Sequence, residues 1–535
     1  MRKKIFYTLI GILYCTLSFG QSSSLRFQKS YGGEEAEIPH SIISLPDSGY
    51  VVVGSTRSYG PGNVNVYIFR TNKYGDTLWT KVLGNGGENA YCVRLTNDQK
   101  LIVASTESML FGRGATLLKL DLNGSLIWSQ SYGSNSSDFI YDLKVTEDNG
   151  FIAIGNSVNA TAPLSDIFIM KTDSSGNLEW GKHYGGEKSE YGESILEIPG
   201  NGYIAIGATN SYNGLETNPY DGMLLRINNN GDTTWSKRYS KIPYSVTGNK
   251  IHLLNNGDFL ISGGVTNETD SYNDFFLART DSTGQIIWSK QYSKYGPEVT
   301  ANIIHTNDEG CLIAGYTTSV NETDSDIYLI QTNNIGDTLW TKGLGGLSYD
   351  LAKDIISTHN GFAILSQSSS FNGTGFNSDS DVGIMLIDSM GNGSCYYRPL
   401  DTMTISSLSV MVYNFSPTIE SYCIQESISP PITFGGTVVN WCDFTVNTSN
   451  VQFNENENYV FPNPFSFGTT LKINENLKNA TLIIYNTLGE KIMTLENFSG
   501  KEINLDREKL NNGVYFLNFV QDKKLISTMK LVISN

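Results

Sequence analysis

The chain has 535 residues, 39% hydrophobic and 17% charged, with 53 Asp and Glu against 37 Lys and Arg for a net charge of −16. Such a field repels nucleic acid and anionic membrane surfaces, so neither is expected as a partner. The apolar fraction is ample for a core, and the length admits several domains or one long repeat array.

The N-terminus (1–20) reads as a signal peptide. Arg2, Lys3 and Lys4 precede a short apolar run from Ile5 to Phe19, and Ser18 and Gly20 are the small residues before a cleavage point after Gly20. The run is too short to span a membrane, and no later stretch reaches 18 apolar residues. The mature chain is therefore expected outside the inner membrane and not membrane-spanning. Cys92 and Cys311 lie in apolar, strand-like runs and read as buried thiols. Cys395, Cys423 and Cys442 fall within 48 residues, where an exported chain is expected to form one disulfide of undetermined pairing.

Residues 21–398 repeat with a period of about 52 residues. Trp79, Trp128, Trp180, Trp235, Trp288 and Trp340 are 49, 52, 55, 53 and 52 residues apart, each four residues after a glycine. Gly391 begins a seventh copy with Cys395 in place of the tryptophan, and Phe27 occupies the tryptophan position at the N-terminal end. Each interval holds four short apolar runs of β-branched and aromatic residues, as in GYVVVG (49–54) and GYIAIG (202–207), separated by Asn, Asp and Gly turns. No stretch carries helical periodicity. The expected fold is all-β: a seven-bladed β-propeller in which each sheet covers its neighbour. Each tryptophan is expected on a fourth strand against the next blade, where full burial would be worth up to about 4–6 kcal/mol. Eight fourth-strand copies for seven blades predict that 25–31 closes the last blade, whose other strands come from 350–388. The alternative gives that place to 394–399.

Residues 399–455 read as a linker with a small β appendage, holding the strand-like pieces VMVYNF and TVVNWCDF around Pro430-Pro431 and ending in an Asn/Glu-rich stretch. From 456 to 535 a different pattern begins: Pro462-Asn463-Pro464, Tyr485 with Gly489, Gly513 with Tyr515, and the terminal Lys530-Leu531-Val532. This order resembles the C-terminal sorting domain (type A) of the Bacteroidetes type IX secretion system. Only the last residues, Ile533-Ser534-Asn535, depart from the lysine-ending tails common there. The resemblance implies a small immunoglobulin-like β-sandwich, recognition by the type IX translocon, and a secreted or outer-cell-surface protein. The repeat region likewise resembles secreted Bacteroidetes propellers.

For ligand chemistry, one position recurs 14 residues before the tryptophan: Asn65, Gly114, Asp166, Asp221, Asp274, Asp326 and Asp381. A ring of carboxylates on one face would suit cations or sugar hydroxyls, and the loops after the fourth strands add Glu34 and Glu187. Asp and Asn also end loops for a structural reason, by accepting backbone N–H bonds. No cofactor or metal site is expected. Calcium is the one candidate, from the spacing Asn377, Asp379, Asp381, which lacks the glycine of a calcium loop. The five histidines have no metal-ligand spacing, and no nucleophile elbow or phosphate loop is present. The expected function is that of an exported propeller binding a carbohydrate or protein, with no catalytic residue assigned. A glycan-active hydrolase with its site in the channel is the rival.

Overall fold

The computed structural model describes residues 26–533, apart from 159–163, 212–218, 319–324, 371–379, 444–458, 462–467 and shorter stretches, mostly in loops and between the strands of 397–443. The described residues form strands and no helix, so no helix is long and apolar enough to cross a membrane. The chain divides into two units, Met1–Phe444 and Thr445–Asn535.

The first unit contains seven antiparallel sheets. Their innermost strands are Glu37–Ser44, Asn89–Leu95, Ser137–Val145, Glu190–Glu197, Val246–Leu253, Glu298–His305 and Asp350–Thr358. Each contacts the next, and the last contacts the first, so the sheets form a closed wheel of seven blades. Second and third strands such as Tyr203–Thr209 and Asp221–Ile227 are buried along their whole length. Blades cover both of their faces, which is why these strands read as unbroken apolar runs.

The strand Phe27–Gly32 pairs with Asp381–Asp388 as the fourth strand of the seventh blade, the closure expected from the repeat count. Arg26 adds an ion pair of 2.6 Å to Asp388 across this seam. The wheel is therefore zipped by its own N-terminal strand.

Five of the seven blades are latched to the next by a tyrosine on the fourth strand; the first and sixth carry Leu83 and Leu344 at that position. The hydroxyls of Tyr31, Tyr132, Tyr184, Tyr239 and Tyr292 donate to the carbonyls of Gly75, Gly176, Gly231, Gly284 and Gly336 at 2.6–2.8 Å, each in the turn of the following blade. The same turns pack on the tryptophans: a Cβ at Gly336, whose φ is +79°, would lie 2.8 Å from the Trp288 ring. Glycine is needed there both for the left-handed backbone and for the indole. The six indoles are half-buried rather than fully covered, so the ceiling expected for them is not reached.

The described strands of the segment expected as a linker and small β appendage form a belt. Tyr397–Arg398, Thr404–Ser407, Met411–Asn414, Thr418–Glu420, Ile424–Ser427, Ile432–Thr433 and Thr437–Asp443 each add a fifth, outermost strand, running backwards round the wheel from the sixth blade to the first and ending on the seventh. The physical reason is that every fourth strand otherwise presents an open row of backbone donors and acceptors. The last belt strand pairs with Phe27–Gly32, so the N-terminal strand is held on both edges.

The second unit is a five-stranded antiparallel sheet formed by Tyr459–Phe461, Gly468–Asn486, Lys491–Asp506, Gly513–Gln521 and Lys524–Ile533. Its core includes Leu482, Ile484, Leu517, Phe519 and Leu531. Tyr515 lies in that core and donates to the Asn511 carbonyl at 3.0 Å, while Tyr485 is paired in register with Phe516 and Lys530 lies on the last strand. Gly513 opens the fourth of these strands; Pro462, Asn463, Pro464 and Gly489 lie outside the described residues.

Candidate functional site: the central channel

The recurring acids lie within the wall of the wheel. Asn65, Asp221, Asp274, Asp326 and Asp381 are no more than 5% exposed, and Asp166 is half-buried. At most junctions they meet an acid that opens the next inner strand. Gly32 is wedged between the carboxyls of Asp381 and Glu37, Gly185 between Asp166 and Glu190, and Gly345 between Asp326 and Asp350. The opening acid in turn accepts the backbone of the loop before it: Gly33 N to Glu37 at 2.9 Å, Gly186 N to Glu190 at 2.9 Å and Gly346 N to Asp350 at 2.7 Å. These carboxyls therefore hold loops and blade junctions together, whereas Glu34 and Glu187 are exposed on the loops themselves. Asn377 and Asp379 lie outside the described residues.

Burial raises the pKa of the paired acids, as at Glu37 and Glu190. At the junction of the fifth and sixth blades, burial and the neighbouring Asp274 push Glu298 up to about 9. Glu298 is thus a neutral acid at pH 7 that donates to Asp274. Cys92 and Cys311 are buried free thiols, as expected, while the pairing of Cys395, Cys423 and Cys442 rests on side chains outside the described residues.

The sequence reading missed the site with the richest chemistry. Every inner strand breaks register at the same place, with a bulged residue at His40, Tyr91, Tyr141, Glu193, Asn249, Ala301 and Lys353. A bulge turns its strand and re-aims side chains. Repeated seven times, it brings the residue after the bulge of every strand to the axis, together with the bulged residues His40, Tyr91, Tyr141 and Lys353. The inner strands enclose a cavity of about 360 Å³ there.

Two carboxylates organise the cavity. Asp142, from the third blade, accepts from Arg94 of the second at 2.8 Å, Lys144 at 2.8 Å, the Ser194 hydroxyl of the fourth at 2.9 Å, and the amides of Leu143 and Ile195. Burial alone would raise its pKa, but Lys144 and Arg94 outweigh burial and hold it well below the usual carboxylate range. Asp354, from the seventh blade, accepts from Asn302 of the sixth at 2.6 Å, from Ile42 N of the first at 3.0 Å and from Ile355 N at 2.8 Å. Both acids are therefore ties between blades with their oxygens engaged.

The other titratable groups are tuned by desolvation. His40, beside Lys353, and His252, beside Lys144, are lowered to about 4 and are neutral at pH 7. Burial lifts Glu193 to about 7 against the pull of Lys250. His40, Tyr91 and Tyr141 form an aromatic arc across three blades, with ring centroids 4.9 and 5.2 Å apart. Among the described residues no three His, Cys, Asp or Glu side chains are grouped to hold a metal. The sequence did carry a signal: these positions differ from repeat to repeat while the Gly, Tyr and Trp positions recur.

Residues 459–534 match the family model described as a secretion system C-terminal sorting domain. Among solved structures, the chain is similar to PorZ of Porphyromonas gingivalis, described as an essential bacterial surface component of the type IX secretion system. Identity there is 12% and the TM-score 0.30, with 94% of this chain and 74% of that one covered. A second similar structure is a eukaryotic initiation factor, at 12% identity and a TM-score of 0.31, covering 72% of this chain and 98% of that one. No curated protein matches in sequence. The C-terminal unit is a secretion-system sorting domain, which implies recognition by the type IX machinery and export to the outer surface or beyond.

Proposed function

We propose that this is an exported binding protein whose ligand, a carbohydrate or a protein group, enters the channel of the propeller. Its signal peptide is cut after Gly20, and its sorting domain, an immunoglobulin-like sandwich, delivers the mature chain through the type IX translocon. The observation that carries the binding reading is the cavity of about 360 Å³, lined by all seven inner strands. Sites for small molecules are concave, with a few convergent polar groups and shifted pKa values. Exposed Glu34 and Glu187 would contact a larger partner at the loops.

Binding is favoured over hydrolysis because Asp142 and Asp354 are occupied as blade ties. The hydrolase reading retains one observation in its favour, the Glu193 carboxyl at about 7, suited to acid–base work near neutrality. A glycan array run with and without calcium tests the proposal, comparing the full chain with Ile304→Trp, which fills the cavity from its wall. Binding lost in the variant supports the channel, and equal binding refutes it. Turnover of a bound glycan that Glu193→Gln abolishes would establish the hydrolase instead.

A further inference from the structure

The cavity is cationic inside an acidic protein. Arg94, Lys144, Lys250 and Lys353 line it from four different blades, against the two carboxylates Asp142 and Asp354. Arg94 and Lys144 are engaged with Asp142 at 2.8 Å. Among the described residues, the ammonium groups of Lys250 and Lys353 make neither a hydrogen bond nor an ion pair. Keeping an ammonium desolvated without a partner is costly, and burial already depresses the Lys353 pKa. Lys250 and Lys353 are the two cavity cations without a bonded partner among the described residues. They are accounted for if an anion completes the site.

The walls narrow the class of anion. The aromatic arc of His40, Tyr91 and Tyr141 offers apolar ring surface on one side. Both histidines are neutral at pH 7, so the positive charge is concentrated on the lysines. The volume lies at the small end of small-molecule sites, which run from about 300 to 1,000 Å³. That is room for a single ring-sized ligand, not for a polymer strand.

We propose that the channel binds an acidic monosaccharide of the hexuronate class, its carboxylate taken by Lys250 and Lys353 and its ring lying against Tyr91 and Tyr141. The inference rests on the channel-binding reading above and names the ligand class for it. Each lysine forms a charge-assisted hydrogen bond in a partly desolvated site, so each matters more than a surface lysine would.

Calorimetric titration of the full chain with glucuronate, glucose and inorganic sulfate tests this. Glucuronate should bind, glucose at least tenfold more weakly, and Lys250→Gln and Lys353→Gln should each weaken glucuronate at least tenfold. Absence of glucuronate binding overturns the proposal, as do equal affinities for glucose and glucuronate, or lysine variants that bind like the parent. Sulfate binding as tightly as glucuronate also overturns it, by removing the sugar from recognition. The Ile304→Trp variant separates this inference from the one beneath it. Saccharide binding that Ile304→Trp abolishes but the lysine variants spare sinks the acidic-sugar inference alone, whereas binding that Ile304→Trp leaves intact sinks the channel reading. Should Ile304→Trp fail to fold, Ser357→Trp, at an exposed position lining the same cavity, serves in its place.

Discussion

Replacing Glu298 by Gln should stabilise the propeller, and by an amount that grows with pH. Glu298 is 1% exposed, accepts from the Thr317 hydroxyl at 3.0 Å and faces Asp274, which is fully buried. Its carboxyl sits at about 9 in the fold against an ordinary value of 4.5. A raised folded pKa means that the stability from this group is complete below about 4.5 and is lost as pH climbs through about 9. At pH 7 the loss is on the order of 3 kcal/mol, from 1.36 kcal/mol per pH unit. Glutamine copies the protonated acid: its amide donates to Asp274 and its carbonyl accepts from Thr317. It carries no proton to lose. Urea unfolding of parent and Glu298→Gln should therefore differ by under about 1 kcal/mol at pH 5 and by roughly 3 kcal/mol at pH 7. An equal gain at both pH values would attribute the effect to packing, and a loss at pH 7 would refute the shared-proton account of this junction.

Other parts of the fold yield sharper local tests. Tyr292→Phe removes one buried bond to the Gly336 carbonyl and should cost about 1 kcal/mol in urea unfolding, whereas Gly336→Ala, at φ +79° and against Trp288, should cost about 2–3 kcal/mol. Asp142→Asn strands Arg94 and Lys144 in the channel and should cost about 3–5 kcal/mol at pH 7. Because the Asp142 carboxyl is held far below its usual range, its contribution is present above about pH 4 and lost only in stronger acid, which an acid titration of parent against variant would reveal. Deleting 394–443 while keeping the sorting domain should leave the seven four-stranded blades but uncover seven outer edges. Light scattering should then show self-association, and a monodisperse monomer would mean that the belt does not guard those edges.

The features legible in the sequence are those that every blade must solve alike. A Trp on the fourth strand with a Gly four residues before it recurs in six blades, and a Tyr four residues after the ring in five, because the junctions share a ring, a turn that admits it and, in most, a hydroxyl that ties it. Counting copies of that unit was enough to assign Phe27–Gly32 to the seventh blade. The belt was not legible, because its strands are only two to seven residues long and share no period with the blades they cover. Each borrows its partner from a residue more than fifty positions away, and nothing local in VMVYNF or TVVNWCDF specifies an address.

The channel was overlooked for the opposite reason, and the contrast locates function in a repeat protein. The acids at Asp274, Asp326 and Asp381 looked like a site because they recur, yet recurrence is what a shared structural duty produces, and they are buried at the blade junctions. The position after the inner-strand bulge is held in chain order by Ser41, Cys92, Asp142, Ser194, Lys250, Asn302 and Asp354. Seven geometrically equivalent places carry five different residue types, and no common packing need produces that. Within the set, Asp142 and Asp354 bind neighbouring blades, and Ser194 and Asn302 serve those two acids. Lys250, whose charge acts on Asp142 and Glu193, bonds to neither and ties no blade, nor does Lys353 at the bulge itself tie one. In a wheel whose symmetry explains most of its residues, these asymmetric cations are the part that a ligand must explain.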